Sequence, residues 1–140
     1  MQTLSQLSVI IEGELGKIAY PNTPQKLYQP IDYVIGLGGK RMRPILLLMA
    51  HQLFDENIEK AISPALGIEI FHNFTLLHDD IMDNAPIRRG KQTVHEKWNQ
   101  NAAILSGDTM LVQAYQLLSD VDKNIVKEMI AVFSKAATQV

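Results

Sequence analysis

The sequence predicts an all-α chain, and three observations carry that expectation. Apolar residues recur at helical spacing along almost the whole length, with no alternating strand pattern of useful extent. Residues 58 to 83 carry Ile62, Ala65, Leu66, Ile68, Ile70, Phe71, Phe74, Leu76, Leu77, Ile81 and Met82 at nearly every azimuth, as expected of a central helix enclosed by others. Breaks such as "YPNTPQ" and "GLGGK" then divide the periodic stretches into helix-sized pieces.

Taken in order, residues 2 to 19 form the first helix, on the spacing of Leu4, Leu7, Val9, Ile10, Leu15 and Ile18. Two prolines and an asparagine end it, and Thr23-Pro24 reads as an N-cap followed by proline at the first helical position. The second helix runs to about Gly36. Pro44 suits the first turn of a third, over residues 44 to 54, with "ILLLMAHQLF" as its buried body. The fourth covers 58 to 83, and Pro64 predicts a start near it or a kink. "NAPIRRGK" reads as a loop. Thr93, with Glu96 three residues on, has the form of a capping box. It opens a helix over 94 to 119, interrupted near Asn99, and a last helix covers 123 to 140. The chain stops at "KAATQV" without a glycine, asparagine or proline stop signal, which reads as a truncation in mid-element. Residues 1 to 140 are expected to form a single domain, part of a longer protein.

Composition narrows the function. A hydrophobic fraction of 46% and a charged fraction of 20% over 140 residues describe an ordinary folded domain. A net charge of −2 gives no bulk attraction to nucleic acid or anionic membrane. The absence of cysteine excludes disulfides, thiolate catalysis and thiolate metal sites. With no signal peptide and no uninterrupted apolar run long enough to span a bilayer, the expectation is a cytoplasmic protein without stable membrane insertion.

The placement of charge is uneven. All four arginines lie in two clusters, Arg41/Arg43 and Arg88/Arg89, with Lys40 and Lys91 beside them. Asp79, Asp80 and Asp83 form D-D-x-x-D, and on a helix Asp79 and Asp83 share a face. Like charges at that spacing repel, and beside an apolar run they call for a cation. Carboxylate oxygens completed by phosphate oxygens are the pattern for Mg²⁺; the alternative is a solvated helix end. Arg88 and Arg89 follow closely, and guanidinium forks suit phosphate; the alternative is that they pair with the aspartates. "GLGGKRMRP" supplies a second anion site. Glycines free the backbone, and Lys40, Arg41 and Arg43 arrive where a helix N-terminus already favours anions. It is not a Walker A sequence, and no basic stripe or aromatic platform supports a nucleic-acid site. His72 lies two turns before Asp79 on the same face, as either a phosphate-binding group or a core histidine. Neither an EF-hand nor a credible glycosylation site at Asn73 is present. His78, Lys91 and Asp108 are further polar candidates without a role.

Taken together, "GGKRMRP", "LLHDDIMD" and "RRG", in this order, resemble the trans-isoprenyl diphosphate synthases, the polyprenyl synthetase family, over about residues 25 to 120. The resemblance implies an isoprenoid-synthase-type helical bundle around a central cavity, of which this chain is the N-terminal portion, and a homodimer. It implies a prenyltransferase that joins an allylic diphosphate to isopentenyl diphosphate. Asp79 and Asp83, with Asp80, would hold Mg²⁺ on the allylic diphosphate, which Arg88 would also contact. Lys40, Arg43, His72 and Arg89 would bind isopentenyl diphosphate. Phe74 and Thr75 occupy the positions where the family sets product length. A ring there implies a short product, farnesyl or geranylgeranyl diphosphate, unless Phe74 only packs. A medium- or long-chain synthase and a non-catalytic subunit are the other readings within the family. A terpene cyclase would have no use for "GGKRMRP". The family's second Asp-rich motif is absent from these 140 residues, so this piece is expected to be inactive alone.

Overall fold

The computed structural model describes residues 2–140, and the described residues form seven helices and one small hairpin. The helices are α1 (Leu4–Gly16), α2 (Gln25–Gly36), α3 (Met42–His51), α4 (Glu59–Met82), α5 (Val94–Lys97), α6 (Gln100–Ser119) and α7 (Val126–Ala137). Two short strands, β1 (Ile87–Arg88) and β2 (Lys91–Gln92), join α4 to α5. The all-α expectation holds.

The central helix is α4. Its buried residues include Ala61, Ala65, Leu66, Ile70 and Leu77, and it packs most extensively against α6, then against α3. The close approach of α4 and α6 depends on small residues. A Cβ on Gly67 would lie 2.9 Å from Leu118 Cγ and 3.1 Å from the Ala114 carbonyl. Leu7, Ile11 and Leu15 of α1, Ile31 and Val34 of α2, and Ile45 and Leu48 of α3 complete one continuous core.

Helix ends follow local chemistry. Thr3 caps α1 through a reciprocal box with Gln6: the Gln6 N–H donates to Thr3 Oγ1 at 3.3 Å and the Thr3 N–H donates to Gln6 Oε1 at 2.8 Å. Asn99 caps α6 by accepting from the Ala102 N–H at 2.8 Å, which explains the interruption expected there. At the other end of α4 the Ala85 N–H donates to the Asp80 carbonyl at 2.9 Å and the Asn84 N–H to the Ile81 carbonyl at 3.2 Å. With Asn84 at φ +49, this is a Schellman ending. It turns the chain back immediately after the three aspartates.

Four expectations need correction. "NAPIRRGK" is not an open loop: Ile87 pairs with Gln92 and Arg88 with Lys91 across a two-residue turn, Arg89-Gly90, with φ +52 and +75. Both values are those of a type I′ turn, and arginine in the first position hides the usual Asn-Gly signal. Thr93 precedes α5 but forms no capping box, because its hydroxyl donates to the Ala85 carbonyl at 2.7 Å. Pro24, extended at ψ 126, is itself the residue before α2, so Thr23 is not the cap. The body of α3 is only half buried: Ile45 and Leu48 face the core, whereas Leu46, Met49, Leu53 and Phe54 are exposed. Pro64 lies inside α4, which starts at Glu59.

Candidate active site

Two clefts are lined in part by α4, one at Glu69 and His72 and the other from Phe71 to Met82. The first, about 480 Å³, is lined by Gly39, Lys40, Arg41, Met42, Arg43, Glu69, His72 and Arg89. It gathers Lys40 and Arg43 from the α2–α3 junction, His72 from α4 and Arg89 from the hairpin turn, residues up to 49 positions apart in sequence. Among the described residues no carboxylate pairs with Lys40, Arg43 or Arg89. Three cations without counter-charge around one cleft form a site for a multivalent anion.

Backbone geometry explains the convergence. Gly39, at φ +156, brings its backbone against Arg89; a Cβ there would lie 3.0 to 3.1 Å from the guanidinium atoms. Arg89 holds a left-handed conformation in the hairpin turn, so its side chain leaves the hairpin in a different direction from that of its neighbour Arg88. Arg43 Nη1 donates toward His72 Nε2 at 3.2 Å. Burial, then the charge of Arg43, pushes the His72 pKa below the usual imidazole value, with Arg88 and Arg89 adding to the effect and Glu69 opposing it. His72 is therefore neutral at neutral pH, with Nε2 as an acceptor. Burial and the nearby charge of Arg41 also push Arg89 down from its ordinary value, as expected of a cation without a partner.

The second cleft, about 420 Å³, lies between α4, α6 and α7. Phe71, Phe74, Thr75, His78, Asp79 and Met82 line it on the α4 side, with Leu111 and Tyr115 from α6 opposite. It is largely hydrocarbon. The Phe74 ring meets Phe71 at 5.6 Å and the His78 ring edge-on at 4.7 Å. His78 sits against Gly107, where any added Cβ would collide with its ring.

The aspartates divide into two kinds. Asp79 and Asp83 are exposed and make no ion pair, and Asp79 lies on the rim of the apolar cleft. At about 100° per residue, Asp79 and Asp83 fall within about 20° of His72 on the α4 wheel. The acids thus share the azimuth of His72, two and three turns further along α4, with Asp79 bordering the hydrocarbon cleft. They also sit at the C-terminal end of α4, where the helix dipole already places negative charge. Asp80, about 100° from Asp79 and about 60° from Asp83 on the same wheel, is buried. Arg88 Nε donates to both of its oxygens at 2.9 Å, and Arg88 Nη2 lies 2.8 Å from Oδ1. That hydrogen bonding, with Asp79 and Asp83 nearby, raises the Arg88 pKa above its ordinary value. Of the sequence alternatives, pairing with an aspartate is realised for Arg88 and not for Arg89.

Among the described residues Asp79 and Asp83 offer oxygen donors that no cation contacts directly, although Arg88 is nearby, which suits a hard divalent ion. Among the described residues no group of three acidic or imidazole side chains could enclose a metal by itself. An ion held here would take most of its ligands from water or from a bound phosphate, as Mg²⁺ does.

Sequence reasoning missed one cluster. Arg41 is 3% exposed and turns inward from its two basic neighbours. Its Nε donates to Glu12 Oε1, its Nη1 to Glu69 Oε1 and its Nη2 to the Ile35 carbonyl, each at 2.8 Å. Asn73 Nδ2 donates to the carbonyl and to Oε1 of Glu69, at 2.8 and 3.0 Å. Burial alone would lower the Arg41 pKa, but the bonds to Glu12 and Glu69 outweigh it and the net shift is upward. The available signal was Glu69 itself, a lone carboxylate inside the most apolar run of the chain.

Known proteins share this arrangement of helices. The family model described as Polyprenyl synthetase matches residues 24–140. A geranylgeranyl diphosphate synthase of Methanosarcina mazei is 37% identical over 132 residues, 93% of this chain and 41% of the relative. A crystal structure of a geranylgeranyl pyrophosphate synthase superposes with a TM-score of 0.94 at 46% identity, covering 99% of this chain and 42% of that one. A geranyltransferase of Helicobacter pylori, complexed with magnesium and isoprenyl diphosphate, superposes at 0.81 with 27% identity, over 96% of this chain and 48% of that one. The chain thus spans about two fifths of the length of the curated relative.

Proposed function

Because the chain belongs to the polyprenyl synthetase family, we propose that it carries the substrate-binding half of a trans-prenyltransferase, one that condenses an allylic diphosphate with isopentenyl diphosphate to a short-chain product. The observation that carries this reading is that α4 lines both a cationic cleft and a hydrocarbon cleft, and carries Asp79 at the rim of the latter with the exposed Asp83 one turn on. A diphosphate with a hydrocarbon tail has the two halves that these surfaces fit.

Asp79 and Asp83 hold Mg²⁺ in this reading. When bound, Mg²⁺ supplies charge neutralisation to a leaving diphosphate. The H. pylori relative, solved with magnesium and isoprenyl diphosphate, supports that assignment. Lys40, Arg43, His72 and Arg89 bind the isopentenyl diphosphate in the cationic cleft. Arg88, anchored by Asp80 and close enough to Asp79 and Asp83 to feel their charge, is the group assigned to the allylic diphosphate in this reading. Asp80 thus acts by holding Arg88. Cationic groups fixed before the reaction stabilise negative charge as the C–O bond of the allylic substrate ionises. The isopentenyl double bond attacks the allylic cation, a C–C bond forms, and the proton lost from the adduct goes to the released diphosphate. Phe71, Phe74 and Leu111 keep water from the cation. Phe74 and Thr75 form the part of the wall that limits tail length, toward farnesyl or geranylgeranyl diphosphate. These 140 residues hold one Asp-rich motif, so by themselves they are expected to bind substrate without turning over. A homodimer in the cytoplasm remains the expected setting, and no helix of the described residues is long and apolar enough to cross a membrane.

The test is incubation of the full-length protein with isopentenyl diphosphate, allylic primers of several lengths and MgCl₂, with products sized by mass spectrometry. Magnesium-dependent elongation to a C15 or C20 diphosphate is the expected result. Absence of any elongated product would overturn the reading.

A further inference from the structure

We propose that Arg41 is a positioning residue for the cationic cleft: it binds no substrate, but ties the Lys40–Arg43 segment to three helices and cancels the charge of Glu69 beneath the anion site. This rests on the proposed prenyltransferase reading, which it deepens.

The geometry separates Arg41 from its neighbours. Lys40 and Arg43 are exposed at the cleft, whereas the Arg41 side chain is 1% exposed. A left-handed backbone at Arg41, φ +47 and ψ +32, stands immediately before α3. That conformation is costly for a side chain with a Cβ, so the contacts must hold it. They come from separate elements: Glu12 on α1, the Ile35 carbonyl near the end of α2, and Glu69 on α4. One guanidinium therefore ties the segment between α2 and α3 to the three helices around it. A shift in this segment would move Lys40 and Arg43 together.

The electrostatics point the same way. Glu69 is 2% exposed and lines the cationic cleft, 3 residues before His72. Without Arg41 it would be a buried, unpaired carboxylate under a site built for an anion, which is unfavourable by itself and repels the guest. Asn73 braces the same carboxylate from one turn further along. The positive field in the cleft is therefore that of Lys40, Arg43 and Arg89, and Arg41 is shared between Glu12 and Glu69.

Arg41→Lys keeps the charge but cannot span three acceptors. Glu12→Gln takes the charge from one tie at a half-exposed position, leaving a weaker neutral acceptor for Arg41 Nε, and keeps Arg41 and Glu69 intact. In the full-length protein, Arg41→Lys is expected to raise the KM for isopentenyl diphosphate about tenfold, leaving the KM for the allylic diphosphate and kcat at saturation within about threefold. Glu12→Gln should shift the same KM in the same direction, by about threefold, with an unchanged melting temperature. Should Arg41→Lys fail to fold, Glu12→Gln carries the test alone. Equal changes in both KM values, or a lower melting temperature with neither KM moved, would overturn the proposal and leave the prenyltransferase reading standing. A wild-type protein without prenyl transfer would overturn both.

Discussion

Arg88 grips Asp80 with its Nε 2.9 Å from each carboxylate oxygen and its Nη2 2.8 Å from Oδ1, across the Schellman ending of α4. Their neighbours Asp79, Asp83 and Arg89 lack such partners. Alternate members of two short charged runs are thus committed to the fold, and the rest make no ion pair among the described residues.

Substitution of the aspartates should separate these roles. Asp79→Asn is expected to lower kcat of the full-length protein by about 10²–10³-fold, through lost charge stabilisation at the leaving group, without loss of thermal stability. Asp80→Asn removes the negative charge and one of the two acceptor oxygens that Arg88 grips, at a cost of about 1–3 kcal/mol. The melting temperature should fall by roughly 2–4 °C per kcal/mol in a domain of this size. Calorimetric melting curves of both variants check the difference.

Proton linkage should be visible at His72. In the free protein burial and Arg43 hold its pKa below 6.5, against the opposing charge of Glu69. A bound diphosphate adds negative charge beside it and raises that pKa. Between the two values binding takes up a proton, so the contribution of His72 to affinity grows as pH falls through this range. Titration of inorganic diphosphate at pH 6, in buffers of different ionisation enthalpy, should show more proton uptake in the wild type than in His72→Asn, by up to about one proton. Equal uptake would show that the imidazole does not face the guest.

The floor of the apolar cleft should limit product length. Phe74→Ala removes the ring that packs on Phe71 and His78. Product analysis of the full-length variant is expected to show chains longer than those of the wild type. An unchanged product would assign Phe74 to packing alone.

Gly39 should tolerate no side chain. Alanine there meets the Arg89 guanidinium and an unfavourable φ of +156. Gly39→Ala is expected to weaken inorganic diphosphate binding by about tenfold in titration calorimetry, since a displaced Arg89 loses a charge-assisted contact.

Binding and turnover should part company in the 140-residue chain. It contains both clefts but one Asp-rich motif. Purified alone, it is expected to bind inorganic diphosphate and to form no prenyl product detectable by mass spectrometry.

Helical periodicity in the sequence alone determined that the chain is helical and that 58–83 is its enclosed centre, because local spacing decides which faces must leave water. Residue type and order alone determined the inventory of charge: three carboxylates at the end of α4, with basic clusters on either side of it in sequence. The tertiary structure decided the partition of those charges. The bonds from Arg41 to Glu12 and Glu69 join residues 29 and 28 positions apart, and no local pattern records which arginine of "KRMR" turns inward. The hairpin that separates Arg88 from Arg89 was equally hidden, since its turn uses an arginine where asparagine or aspartate would have announced it. Burial made the choice: a charge enclosed without a partner is too costly to keep, so the fold paired those it enclosed and left the others at the clefts.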